Sequence, residues 1–342
     1  MASLAQDLAE QRTGMTYPGG YRHDDYIAAF AARLQGVVLY SLTREATTMA
    51  AQVGLSKPST VLKALRYARP PFPKTWIEFD RRHLRDAMGE LGSPLLRHQG
   101  RDVPQARIGF LVEERKAGVL RVSTASEQIA VDGRKMIDVI VAQFDIETGE
   151  FESPGEPIRE HSVHPASHGR VRDYQKTIVK DEAEALAADE IALRCAKRNI
   201  SPDAVTLLKS LTAMLGSDQV SKIATETTDQ SVAVAIQVLI PALILLACKN
   251  AVDAVERPPE TKLNAIRAKK GKPPIPRVTD VYSRFTKEKS PTSKGEAKRT
   301  AEERRAALIS GHFKTRSTGV FWWSDHARRG KGRPSMQRTV KP

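Results

Sequence analysis

The sequence predicts an α+β fold: a small antiparallel sheet, a mostly helical remainder, and a basic, partly disordered C-terminal region. Three observations predict it. Apolar residues repeat at helical spacing before residue 70 and again between residues 174 and 255, they alternate or run with β-branched residues in between, and periodicity ends at Arg257. The implied organisation is N-terminal helices over residues 1–70, an antiparallel β region over 71–157, a helical core over 170–256, and a basic arm over 257–342 with a flexible linker at about 283–300.

In residues 24–52, Tyr26, Ile27, Phe30, Leu34, Val37, Val38 and Leu42 recur at helical spacing, which predicts one helix or two. Residues 45–67 have the outline of a helix-turn-helix in Ala50, Gly54, Thr60 and Val61. One residue too many between Gly54 and Val61, and Pro58 where the second helix begins, favour two packing helices joined by a turn. After Pro73 the segments TWIEFD, RIGFLVEER, AGVLRVSTA and KMIDVIVAQFDIETGEF read as strands. Residues 115–118 close a hairpin and Asp132-Gly133 marks another turn, so about four antiparallel strands are expected. Residues 154–169 form a loop rich in His, Pro and Ser, and residues 174–200 and 202–255 return to helix, with Ser201 and Asp218 as N-cap candidates.

Residues 231–248, SVAVAIQVLIPALILLAC, carry no charge and reach the length of a membrane span. The basic flank after Lys249 would require some 230 upstream residues to cross a bilayer without a signal, so a buried core helix is favoured over insertion. The N-terminal residues carry acids where a signal peptide needs bases. Cys195 and Cys248 lie in apolar helical sequence with no zinc or disulfide spacing, which fits a reducing cytoplasm.

Charge is divided unevenly. Residues 257–342 hold 23 Lys and Arg against 7 Asp and Glu, a balance of +16 that leaves −2 for the rest of a chain totalling +14. Such asymmetry points to a polyanionic partner, most simply nucleic acid. Lys262, Arg267, Lys269, Lys270 and Lys272 place five cations within eleven residues, with Gly271 allowing a turn and Pro273-Pro274 holding the exit extended. Downstream, Phe321, Trp322 and Trp323 lie among His312, Lys314, Arg316, Arg328 and Arg329, a mixture suited to stacking bases beside cations. Core packing competes with that use. A hairpin pairing HFKTR with VFWW through a turn at residues 317–319 would bury one tryptophan and expose the other, since neighbours on a strand face opposite ways.

Leu263, Asn264, Arg267, Lys269, Lys270, Gly271, Lys272, Pro273 and Pro274 together resemble a motif of a group of proteins encoded by phages, prophages and related mobile elements. A basic GH-containing motif followed by aromatics (Gly311, His312, Lys314, Arg316, Phe321, Trp322, Trp323) and an upstream Pro-Phe then Trp-Ile-Glu (Pro71, Phe72, Trp76, Ile77, Glu78) are similar too. The resemblance rests on short motifs spread over a third of the chain. It implies a mobile-element origin and supplies no mechanism.

Walker, Rossmann and nucleophile-elbow signatures are absent from the sequence. The expectation is a non-enzymatic nucleic-acid-binding protein of the host cytoplasm that needs no cofactor and grips phosphates through its C-terminal arm. Two alternatives stand beside it. One is a metal-dependent enzyme acting on nucleic acid through His161, His164 and His168, joined by His312, Asp325 and His326, with a divalent ion as cofactor. The other is a virion structural or assembly component whose arm meets the packaged genome or other phage structural proteins.

Overall fold

The structure is a computed structural model, and it describes residues 3–10, 22–90, 107–129, 135–149, 182–195, 197–257, 260–271, 274–284 and 312–323. Its centre is one nine-stranded mixed sheet. Five strands form an antiparallel run: β2 (Lys74–Asp80), β3 (Arg107–Lys116), β4 (Val119–Ile129), β5 (Lys135–Val139) and β6 (Ala142–Glu147). The β3–β4 turn uses Gly118 at φ +79°, a left-handed conformation that glycine adopts without strain. β4 is long enough to pair with β5 along its second half and β6 along its first, with a break in direction at Ile140 and Val141.

The remaining strands were hidden in other patterns. β1 (Val38–Leu42) runs parallel to β2 on one side and to β9 (Val278–Ser283) on the other; β8 (Val252–Glu256) closes that edge antiparallel to β9, and β7 (Arg198–Ile200) closes the opposite edge against β6. The small antiparallel sheet expected from the sequence is therefore corrected to a large mixed one. The reason is that parallel pairing needs a crossover rather than a turn. Residues 37–42 carry apolar positions that satisfy helical spacing as well as alternation, and their partners, from Val278 on, lie some 240 residues away with no local signal. Strands and helices are not segregated along the chain either: α3 (Arg44–Ser56) and α4 (Pro58–Ala64) make the crossover from β1 to β2. β9, within the segment assigned to the basic arm, sits inside the sheet.

Both faces of the sheet are covered, so the pleat sorts residues into two cores. On the first face Tyr40, Leu42, Ile77, Phe79, Phe110, Val112, Val122, Phe144 and Val281 meet α3, α4, α5 (Arg81–Glu90), α6 (Glu182–Arg194) and the C-terminal half of α8 (Ser217–Ala247). On the second, Leu39, Trp76, Leu111, Ala125 and Val278 meet α1 (Leu4–Glu10), α2 (His23–Arg33) and the start of α7 (Val205–Leu215). Residues 45–67 are thus two packing helices: Ala50, Ala51, Val61 and Ala64 are fully buried.

α8 contains the apolar stretch, and by length and composition it could span a membrane. Here Ile236, Val238, Leu239, Ile240, Leu243, Ile244 and Leu245 are each at most 2% exposed, packed on the first face. Pro241 carries no N–H to serve the Gln237 carbonyl, and the helix widens into a π turn over Ala235–Leu239. α3 crosses at this point. A Cβ on Gly54 would overlap the Gln237 carbonyl oxygen, so only glycine lets the two helices approach this closely. Cys195 and Cys248 are free and buried, and burial pushes both thiols up to about 12, which keeps them protonated.

Gly54→Ala should destabilise the fold by about 1–3 kcal/mol, because the added methyl meets rigid backbone rather than a movable side chain. Urea unfolding monitored by tryptophan fluorescence measures it, and an unchanged midpoint would show that the helices can separate at no cost.

Candidate nucleic-acid interface

A separate two-stranded sheet carries the best-formed surface site. β10 (His312–Arg316) and β11 (Gly319–Trp323) pair antiparallel around Ser317 and Thr318, with His312 opposite Trp323, Lys314 opposite Phe321 and Arg316 opposite Gly319. Gly319 takes φ +127°, which a side chain would oppose. A lone hairpin is at best marginally stable in water, so its inner face must be buried. Phe313, Val320 and Trp322 do this by joining the first-face core, and the Phe313 and Trp322 rings meet edge to face at 5.2 Å. Asn250, just after α8, then clamps the backbone of Trp322 on both sides: its Oδ1 accepts from Trp322 N–H and its Nδ2 donates to the Trp322 carbonyl, both at 2.9 Å.

The outer face is what this anchoring displays. Trp323 is 43% exposed, with Lys314 Nζ 4.5 Å from its ring centroid. Arg316 Cζ lies 5.6 Å from Phe321 and 6.0 Å from Trp323, and Lys249 Nζ lies 6.0 Å from Phe321. All three cations are exposed, and among the described residues none of them has a carboxylate partner. Cations without a carboxylate partner among the described residues, beside an exposed Trp323 ring and a half-buried Phe321 ring, suit a ligand with both π surface and negative charge.

The other basic motif has a different division of labour. In α9 (Thr261–Lys269), Arg267 is only 8% exposed and pairs with Glu10 of α1 at 2.8 Å, so this guanidinium ties α9 to the second-face layer. Asn264 Oδ1 accepts from Ile275 N–H at 2.6 Å, latching the chain beyond the proline pair back onto the helix. Gly271, at φ +63°, ends the helix in the left-handed conformation. Lys262, Lys269 and Lys270 remain exposed without a carboxylate partner among the described residues. The hairpin docks on the first-face core and α9 is tied to the second-face layer, so the structure does not gather the two motifs into one patch. Lys272, Arg328, Arg329, His161, His164 and His168 lie outside the described residues, as do Asp325 and His326. Among the described residues no group of three His, Cys, Asp or Glu side chains is placed to hold a metal.

The Trp-Ile-Glu motif is structural. The Trp76 indole lies over Gly109, where any Cβ would overlap it, and donates Nε1–H to Glu78 Oε2 at 2.8 Å. The same oxygen accepts from the Leu4 and Ala5 amides and so holds the start of α1. Burial pushes the Glu78 carboxyl above the ordinary carboxylate range, against the pull of Trp76, Arg107 and those two amides. Beside it Arg107 bridges Asp7 at 2.6 Å and Glu127 at 2.7 Å.

Sequence reasoning missed Lys249 and Asn250, which reach the hairpin from about 70 residues upstream. Nothing in their local pattern marks them. No family model matches the chain, and no curated protein and no solved structure matches it.

Two outcomes follow from this geometry. Asn250→Ala removes both hydrogen bonds between this side chain and the Trp322 backbone and should cost about 1–3 kcal/mol, with hydrogen exchange accelerated in β11 above all. Glu78→Gln keeps an acceptor oxygen and removes the charge. Because the Glu78 carboxyl titrates higher in the folded chain than in the unfolded one, its stabilising contribution is complete at acid pH and is lost as pH rises through the folded value. Urea denaturation at about pH 4 and about pH 7 should therefore show the variant gaining on the wild type at the higher pH. A gap independent of pH contradicts the raised carboxyl pKa.

Proposed function

We propose that this protein binds single-stranded nucleic acid on the outer face of the β10–β11 hairpin. Bases stack on Trp323 and Phe321 while Lys314, Arg316 and Lys249 meet the phosphates. The observation that carries this is the exposed Trp323 ring and the half-buried Phe321 ring set among three cations that have no carboxylate partner among the described residues, on and beside a hairpin whose opposite face is locked into the core. Stacking tolerates any base, so the binding is sequence-independent and favours unpaired strands. The exposed lysines of α9 add phosphate contacts on a separate side of the molecule. The protein acts as a binder rather than a catalyst, and the resemblance to mobile-element proteins suggests DNA or RNA of a phage or prophage as the cargo.

Titration with oligothymidylate should quench tryptophan fluorescence. Trp323→Ala should weaken binding by about 1–3 kcal/mol, the worth of one stacked base. If six or more phosphates are contacted in all, affinity should also fall by orders of magnitude between about 50 and 200 mM salt. Affinity indifferent both to Trp323→Ala and to salt would end this proposal.

A further inference from the structure

A cleft of about 360 Å³ opens beside the hairpin, and its lining includes Lys63, Arg66, Thr148, Gly149, Arg194 and Thr315. Thr315 lies between Lys314 and Arg316 on β10 but faces the other side of the strand, with Phe313, so the cleft opens along the β10 edge beneath the outer face of the hairpin. Its cations come from two places. Lys63 lies in the last turn of α4 and Arg66 one turn on, in the 3-10 turn Leu65–Tyr67 that continues it; spacing by three puts both on one side. Both are exposed, and among the described residues neither has a carboxylate partner. Arg66 instead rests on its neighbour, with Cζ 5.0 Å from the Tyr67 ring and Nη2 3.3 Å from Tyr67 Oη. Arg194, across the cleft, is fixed by Glu190 at 2.9 Å and by the Gly149 carbonyl at 3.0 Å. No acidic side chain lines the cleft among the described residues.

Resting on the function proposed above, we infer that the sugar–phosphate backbone of the bound strand leaves the hairpin across β10 and runs through this cleft, where Lys63 and Arg66 each take a phosphate. A space of this volume has the scale of a small-ligand pocket, enough for one or two nucleotide units and too small for a duplex. The aromatic face supplies the stacking platform and the cleft supplies the electrostatic track, the two components that single-strand binders combine. Neither Lys63 nor Arg66 is buried, so both can be changed without disturbing the core.

The full-length protein is titrated with oligothymidylate and with an abasic oligonucleotide of equal length over a range of salt. Replacing Lys63 and Arg66 together by alanine should lower the slope of log K against log salt by about 1.4, at roughly 0.7 per phosphate contact on a single strand, while the ratio of affinities for the two probes stays as in the wild type. The charge-keeping pair Lys63→Arg and Arg66→Lys should retain the slope, which separates loss of charge from loss of fold. Trp323→Ala should do the converse, collapsing the ratio between the probes and sparing the slope. If the double alanine variant keeps the wild-type slope while Trp323→Ala collapses the ratio, the strand does not enter the cleft and this inference fails alone. If Trp323→Ala also leaves the ratio untouched, or the wild type binds neither probe, the function proposed above fails and the inference fails with it.

Discussion

Burial of the apolar half of α8 against the first face of the sheet is the constraint on which the other elements depend. Seven large aliphatic side chains from Ile236 to Leu245 are removed from water almost completely, each stabilising the fold by roughly 1.5–3 kcal/mol relative to exposure. α3 reaches this segment only because Gly54 has no side chain, and the inner face of the hairpin shares the same core. The surface that displays Trp323 is therefore held in place by the helix that a hydropathy reading brings closest to the membrane class.

Legibility in the sequence followed the distance between partners. The run from β2 to β6 was readable because each strand alternates or runs apolar, and from β3 onward successive strands are joined by short links, one of them marked by Gly118. The core helix and the hairpin were readable for the same reason, since their patterns are complete within 20 residues. β1, β8 and β9 were not. Val38–Leu42 fits two periods at once and only its long-range pairing with β2 and β9 decides between them. At the candidate site, the opposite orientations of Trp322 and Trp323 could be read from strand alternation. The clamp from Asn250 could not, because a side-chain amide that serves remote backbone looks like any other turn residue in the sequence.

The positive charge of the C-terminal quarter proves to be of two kinds. Its arginines at 257, 267, 277 and 284 are paired with Asp280, Glu10, Glu256 and Asp253, whereas Arg316 and the lysines at 262, 269, 270 and 314 have no carboxylate partner among the described residues. Arg316 apart, the chemistry of the two side chains accounts for the split. A guanidinium is planar, weakly hydrated and able to engage a carboxylate with two parallel bonds, as Arg257 does with Asp280, while an ammonium keeps its water more tenaciously. Counting charges by sequence treats them alike, and so overstates what the tail can offer a polyanion.

The π turn in α8 has a consequence for evolution and design. A π turn accommodates one residue more than an α turn, and each residue advances an α-helix by about 100°. The extra residue within Ala235–Leu239 is absorbed by the wider turn, so the segment beyond it keeps the phase that brings Asn250 to Trp322. Winding the same residues as regular α-helix would swing that segment through about 100° and empty the socket of the aromatic hairpin, so α8 should tolerate the loss of one residue inside this turn far better than an insertion or deletion elsewhere in the helix.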